Sequence, residues 1–411
     1  MRSEQSPHRA AGIRSAFAMA FLLALTITAQ AQTLTALHNF TGGGDGEYPF
    51  AGITFDQQGR IYGTASGGGS HDSGVVYRLA RQGQEWLFSP LYSFGSREND
   101  GSVPYSKVVF GPDSLLYGTT YQGGSQGFGT VYRLQPPAAA CKAAFCPWVE
   151  TILYSFTGGH DGGYPYYGDL TFDPAGNIYG TTYIGGNIGF GVVFKLTRSG
   201  SGWTESVLWN FSEGSDGAFP ISGVIFDSAG NLYGTTTGGG PNYVGTVYEL
   251  SPTQAGWRET TLYSFTDSDN GSGAGGLVMD SHGDLFGITG NVEPGAAYEL
   301  TPQNGSWSFS LLKTFLGGGY PPTLAAPTLD SEGNLYGPVP SGGGADFGEI
   351  FKLAPSGNQW NFSSLYQFDS CNDGNACFPI GAVTFDSSGN MYGTTVGGGT
   401  DYAGTVWEIT P

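Results

Sequence analysis

The sequence predicts an all-β fold: a seven-bladed β-propeller with four strands per blade, closed by an N-terminal strand that completes the last blade. Three observations predict it. The hexapeptide NLYGTT (231–236) recurs in near copies at 61–66, 115–120, 177–182, 284–289, 334–339 and 390–395. Each copy sits in a unit with four short runs rich in Val, Ile, Tyr, Phe and Thr, as in GVIFD, NLYGTT, GTVYEL and TLYSF between 223 and 265. No sustained helical periodicity appears after residue 31, and repeats of this length built from four strands are the unit of a propeller blade.

Taken in chain order, residues 1–31 read as a signal peptide and 32–411 as the propeller. Arg2, Arg9 and Arg14 precede the apolar run AFAMAFLLALTITA (16–29), and Ala29-Gln30-Ala31 fits a cleavage site. The run is shorter than the ~20 residues a membrane span needs. The next element is the fourth-strand signature Leu-x-x-Phe, first at Leu37/Phe40 and last at Leu365/Phe368. Its first copy precedes the first inner strand, and the chain ends on the third-strand run GTVWEI (404–409). The orphan strand therefore pairs beside GTVWEI and closes a ring, hiding two sheet edges.

Within the units, an aromatic precedes glycine in the second strand seven times, from Tyr62-Gly63 to Tyr392-Gly393. The aromatic supplies buried area, and a residue without Cβ lets a neighbour approach closely. Asp56, Asp173, Asp227, Asp280, Asp330 and Asp386 begin D-x-x-G turns, with Gly111 at that place in the second copy. Trp86, Trp148, Trp203, Trp257, Trp307 and Trp360 each stand five residues before a fourth-strand Leu, as outer-strand anchors. Repeats five and six depart from the pattern, with a shortened loop in 284–300 and Pro338 where a ladder N–H is wanted.

The composition excludes some functions. Aromatics reach 14%, ample for a packed core, while the net charge of −19 argues against a nucleic-acid partner. The cysteines pair by proximity, Cys141 with Cys146 and Cys371 with Cys377. Their spacings do not match a zinc site, and two local disulfides suit an oxidising compartment.

The copies FDSAGNLYGTTTGGGPNYVGTVYEL (226–250) and FDSSGNMYGTTVGGGTDYAGTVWEI (385–409) resemble the GloVer repeat of exported bacterial proteins described as choice-of-anchor tandem repeat GloVer-containing. The resemblance covers 33–411. It implies export and a repeat-built β domain, and carries no functional residue across. Family members often end in a sorting or anchoring tail. No such tail is read here, which favours release as a secreted, extracellular or periplasmic protein.

Candidate function falls on one face. The loops from each fourth strand to the next inner strand carry an Asp-Gly pair at Asp45, Asp100, Asp161, Asp216 and Asp373. The loops between second and third strands carry Tyr121, Phe128, Tyr183, Phe190 and Tyr402, and Tyr48, Phe50, Tyr105, Tyr164, Tyr166 and Tyr167 join them from the first set. Both sets are expected on the same rim. Aromatic faces beside carboxylates suit sugar rings, and Asp in Gly-rich loops suits Ca²⁺. The plainer reading is that Asp-Gly makes turns and the aromatics fill gaps between blades. The inner strands contain no His or acid, and the Gly-x-Ser-x-Gly match at 123–127 lies in a strand–strand loop, the wrong setting for a nucleophile. A monomeric, non-catalytic binding or scaffold propeller is the leading expectation, with an extracellular glycan or a surface protein as its partner. A carbohydrate-active enzyme using Asp161 and Asp216 is the alternative, and a purely structural surface protein is third.

Overall fold

The computed structural model describes residues 32–137, 148–266, 272–292, 295–315, 325–357, 359–372 and 374–410. The predicted signal peptide, Cys141, Cys146 and Asp373 lie outside the described residues. Seven antiparallel sheets follow one another along the chain. In the fourth, the strands are Ile225–Phe226, Leu232–Thr235, Thr246–Thr253 and Gly256–Ser264, paired in sequence order from the inside out. The other blades repeat this plan. The third and fourth strands run further than the apolar signatures mark, because a tight turn at 253–256 joins them as one long hairpin.

Ring closure is as expected. Thr33–Asn39 pairs antiparallel with Thr405–Thr410, in the register Thr33↔Thr410 through Asn39↔Thr405, and becomes the outer strand of blade seven. Each boundary between successive blades holds its own apolar cluster. The seventh joins Tyr392 and Val406 of the last blade to Ile53, Ile61 and Val75 of the first. No helix among the described residues is long and apolar enough to cross a membrane.

The repeated motifs now have physical causes. The Leu of Leu-x-x-Phe is a β-bulge: in blade four Val247 pairs with Tyr263 and Tyr248 with Thr261, so Leu262 is skipped. The same skip falls on Leu37 opposite Val406 and Trp407. A bulge adds one residue to one strand and bends it, which here turns the leucine toward the inter-blade core. The glycine after each second-strand aromatic lies under the third-strand ring of its own blade. A Cβ on Gly63, Gly234 or Gly287 would fall 2.3 Å from the hydroxyl oxygen of Tyr77, Tyr248 or Tyr298, and one on Gly393 would fall 2.3 Å from the Trp407 ring. The tryptophans bridge blades rather than cap them. Trp148 packs on Tyr62, Trp307 on Tyr233 and Trp86 on Tyr392, each reaching the second-strand aromatic of the preceding blade.

The threonines of the motif also join blades. Thr181 Oγ1 donates to the Ser222 carbonyl at 2.7 Å and Thr171 Oγ1 to that of Val224 at 2.6 Å. Thr394 and Thr384 do the same to Ala51 and Ile53, across the closure. In the D-x-x-G-N-x-Y turn, Asp173 accepts the Ala175 and Asn177 amides, the Asn177 side chain and the Tyr179 hydroxyl. Burial alone would raise its pKa, but these donors outweigh that and hold it below the ordinary value. In blade two Asp113 supplies what Gly111 cannot, accepting the Tyr117 hydroxyl at 2.9 Å. Pro338 does not break its strand: Leu335–Val339 continues through it, paired to Ile350. The inner strand beside it is only Thr328–Leu329, so the proline lies past its end.

Candidate functional site

The two loop sets do share one face, and backbone pairing ties them together. Glu47 bridges Gly67, Gly163 bridges Ile184, Ala218 bridges Gly238, and Gly101–Ser102 pairs with Gln122–Gly123. Cys371 and Cys377 form a disulfide that staples the corresponding loop of blade seven.

The residues before the loop prolines set the position of the face. Tyr48, Val103, Tyr164, Phe219 and Phe378 all have φ between 55° and 58°, a left-handed conformation rare for bulky side chains. Each donates its N–H to the preceding blade. Tyr164 reaches the Phe128 carbonyl at 2.7 Å, Phe219 that of Phe190 at 2.8 Å and Tyr48 that of Ala403 at 2.8 Å. The following proline lies where a Cβ on the preceding blade's glycine would go, 2.4 Å from it at Gly74 and Gly348. Strain of this kind costs about 1–3 kcal/mol per residue and is held in place by the clasp between blades.

The loop aspartates are committed to their own turns. Asp45 accepts from the Thr41 amide and hydroxyl and from His38 Nε2. Asp100 is buried and accepts from Tyr92, Ser96 and the Gly101 amide. Asp161 accepts from Tyr154 and Thr157, and Asp216, also buried, from Trp209 and Ser212. The turn role foreseen for Asp-Gly is therefore filled, and four of the predicted carboxylates are saturated by local donors. Two of them face a glutamate on the next blade's outer strand. Burial, then the charge of Asp161, pushes Glu205 up to about 7. Glu259 is likewise raised to about 7 by burial and, against a hydrogen bond from Thr261, by Asp216.

The aromatics divide. Tyr121 and Tyr183 are half-buried and belong to a continuous arc over blades one to four. Tyr121 stacks on Tyr164 with centroids 4.8 Å apart, Tyr105 lies 5.6 Å from Tyr121 and 5.2 Å from Phe50, and Tyr183 lies 5.9 Å from Tyr166 and 5.1 Å from Phe219. Burial, then the neighbouring phenols, raises Tyr105 and Tyr121 above the usual phenol range. Phe128 instead wedges against Gly158 of the next loop, where a Cβ would fall 2.6 Å from its ring, and Phe190 packs on Phe219. Tyr402, on blade seven, is 57% exposed, and its hydroxyl donates to Asn372 Oδ1 at 3.5 Å.

Beneath the arc lies the central channel, a cavity of about 260 Å³ lined from all seven blades. The residue just before each inner-strand apolar triplet faces it. Five are small: Gly52, Gly223, Gly276, Ala326 and Ala382. The other two are Lys107 and Asp169, whose Nζ and Oδ2 are 3.1 Å apart, and Asp169 Oδ1 also accepts the Lys107 amide at 3.1 Å. Reading inner strands as three-residue cores missed this pair. Aligning the residue one place upstream would have exposed it.

For metal ligation, the described residues offer one group, Asp280, His282 and Asp284, with ligand atoms within 4.8 Å of one another. It occupies the D-x-x-G turn of blade five. There Asp284 replaces the usual Asn and Phe286 the usual Tyr, so Asp280 loses two donors and takes His282 Nδ1 at 3.0 Å instead.

Fold and face together define a closed repeat propeller with loop-borne aromatics above a narrow channel. The chain belongs to the family of the Gloeobacter/Verrucomicrobia repeat, whose model matches residues 23–146 and 145–324. No curated protein matches the sequence. Among solved structures it is similar to the extracellular domain of a protein described as a one-component system of B. thetaiotaomicron. That match has a TM-score of 0.54 and 13% identity, over 92% of this chain and 41% of the other. It is also similar to a protein described as a 6-phosphogluconolactonase of Bacteroides uniformis, with TM-score 0.49 and 14% identity over 78% and 84% of the two chains. A third is described as a glucose dehydrogenase-type oxidoreductase of Thermus thermophilus, with TM-score 0.45 and 13% identity over 92% and 100%. At 13% identity the first of these likenesses is one of fold.

Proposed function

We propose that this chain is an exported, monomeric binding propeller whose tyrosine arc takes a glycan. The observation that carries the reading is the arc itself. Partly exposed phenols on adjacent blades offer flat apolar faces with hydroxyls at their rims, the surface a sugar ring needs. Export is supported by the leader-like residues 16–29 and the Cys371–Cys377 disulfide. The enzyme alternative loses weight because Asp161 and Asp216 are held by local donors and neither lines the channel. Isothermal titration of residues 32–411 with neutral cello-, xylo-, malto- and chito-hexaose tests the proposal. At least one is expected to bind without being cleaved, and Tyr121→Ala and Tyr183→Ala should each weaken it about fivefold to tenfold. Binding unaffected by both substitutions, or silence across the four, would contradict it.

A further inference from the structure

We infer that the central channel is an end-unit pocket: it receives the terminal, uncharged sugar of a glycan whose following units lie on the arc, and Lys107 and Asp169 hold that sugar's hydroxyls. This rests on the glycan reading of the arc and extends it to a second set of residues.

Symmetry breaking is the first ground. A ring built only to pack needs the same residue at each equivalent channel position, and five blades comply with Gly or Ala. Those small residues leave about 260 Å³ open rather than filled. The two exceptions are adjacent and opposite in charge, and their side chains keep 30% and 39% of their surface exposed. Threonine-to-carbonyl bonds tie blades one to two and three to four. Between blades two and three, where Val109 replaces that threonine, the Lys107–Asp169 pair makes the tie and still keeps its side chains partly open to the channel.

Continuity is the second ground. Phe50, Tyr105 and Tyr167 line the cavity and belong to the arc as well, with Tyr105 5.2 Å from Tyr167. A chain lying on the arc is thus led to the opening. Ligand sites run from about 300 Å³ upward, so this cavity suits one sugar ring and not a longer stretch. Access is therefore end-on.

Charge selects among sugars. The pair presents donors from Nζ and acceptors from the carboxylate side by side, which matches two neighbouring hydroxyls. A uronate or sulfated unit would meet Asp169 and the field of a chain with net charge −19. The expected unit is uncharged.

The four hexaoses are titrated into the wild type, Lys107→Met/Asp169→Leu and Ala326→Met. The last variant fills the cavity from the opposite wall and leaves the ion pair in place, so loss of fold in the first does not decide the outcome. For any hexaose that binds through Tyr121 and Tyr183, both channel variants should weaken it at least tenfold. The same hexaose with its non-reducing end capped by a bulky benzylidene group, and a second sample reduced at the other end, should show one end to be required. Unchanged affinity in Ala326→Met, or equal binding of both end-modified forms, would overturn the pocket and leave the arc standing. Failure of all four hexaoses to bind would overturn both.

Discussion

The repeated aromatic-glycine pair makes a sharp prediction at Gly234. Replacing it with alanine places a Cβ 2.3 Å from Tyr248 Oη and 2.5 Å from its Cζ. The ring is completely buried, with Phe211 edge-on at 5.1 Å, so it has no room to retreat. Overpacking of this kind costs about 1–3 kcal/mol. Removing a glycine from a strand interior returns up to about 1 kcal/mol. The net expectation is a loss of about 1–2 kcal/mol, read as a lowered urea midpoint with unchanged slope. Gly337→Ala should cost less, because its nearest atom, Phe351 Cε1, is 2.9 Å away. Adding Tyr248→Leu to Gly234→Ala should recover part of the loss, giving a total smaller than the sum of the single changes. A neutral Gly234→Ala, or strict additivity with Tyr248→Leu, would refute the steric account.

Two further expectations concern seams between blades. Thr181→Val removes a buried donor to the Ser222 carbonyl and leaves that carbonyl unpaired, so it should destabilise by about 1–2 kcal/mol, whereas exposed Thr204→Val should be near neutral. Glu205 and Glu259 are raised from 4.5 to about 7 in the folded protein. The stability this gives is complete below about pH 4.5 and is lost as pH rises through about 7. A raise of that size would be about 3 kcal/mol for a fully buried group, and solvent screening at these half-buried sites reduces it to about 1 kcal/mol each. Glu205→Gln/Glu259→Gln should therefore flatten the decline in melting temperature between pH 5 and pH 8. An unchanged decline would show that neither carboxyl titrates in that window.

Much of the architecture was legible because the physical demands are repeated. A bulge leucine, a glycine under a ring and an aspartate closing a turn each leave the same mark seven times or nearly so. The strand ends were less legible, since the hairpins between third and fourth strands are polar apart from the single tryptophan. Pro338 looked like a strand breaker because sequence alone does not show that the inner strand beside it begins only at Thr328, short of the proline. At the candidate site, the common face of the two loop sets followed from propeller connectivity. The partners of the aspartates did not, because Thr41, Ser96, Thr157 and Ser212 look like ordinary loop residues until the turn folds each onto the carboxylate four residues on. Lys107 and Asp169 were hidden for a different reason. They lie 62 residues apart and meet only when adjacent inner strands converge on the axis.

Circular closure can be tested with a single cross-link. Thr33 and Thr410 face each other at the free ends of the paired terminal strands. In the variant Thr33→Cys/Thr410→Cys, oxidation and peptide mapping should find residue 33 joined to residue 410 within one molecule. Free thiols at both positions, or a bond formed only between molecules, would mean the chain ends do not share a blade.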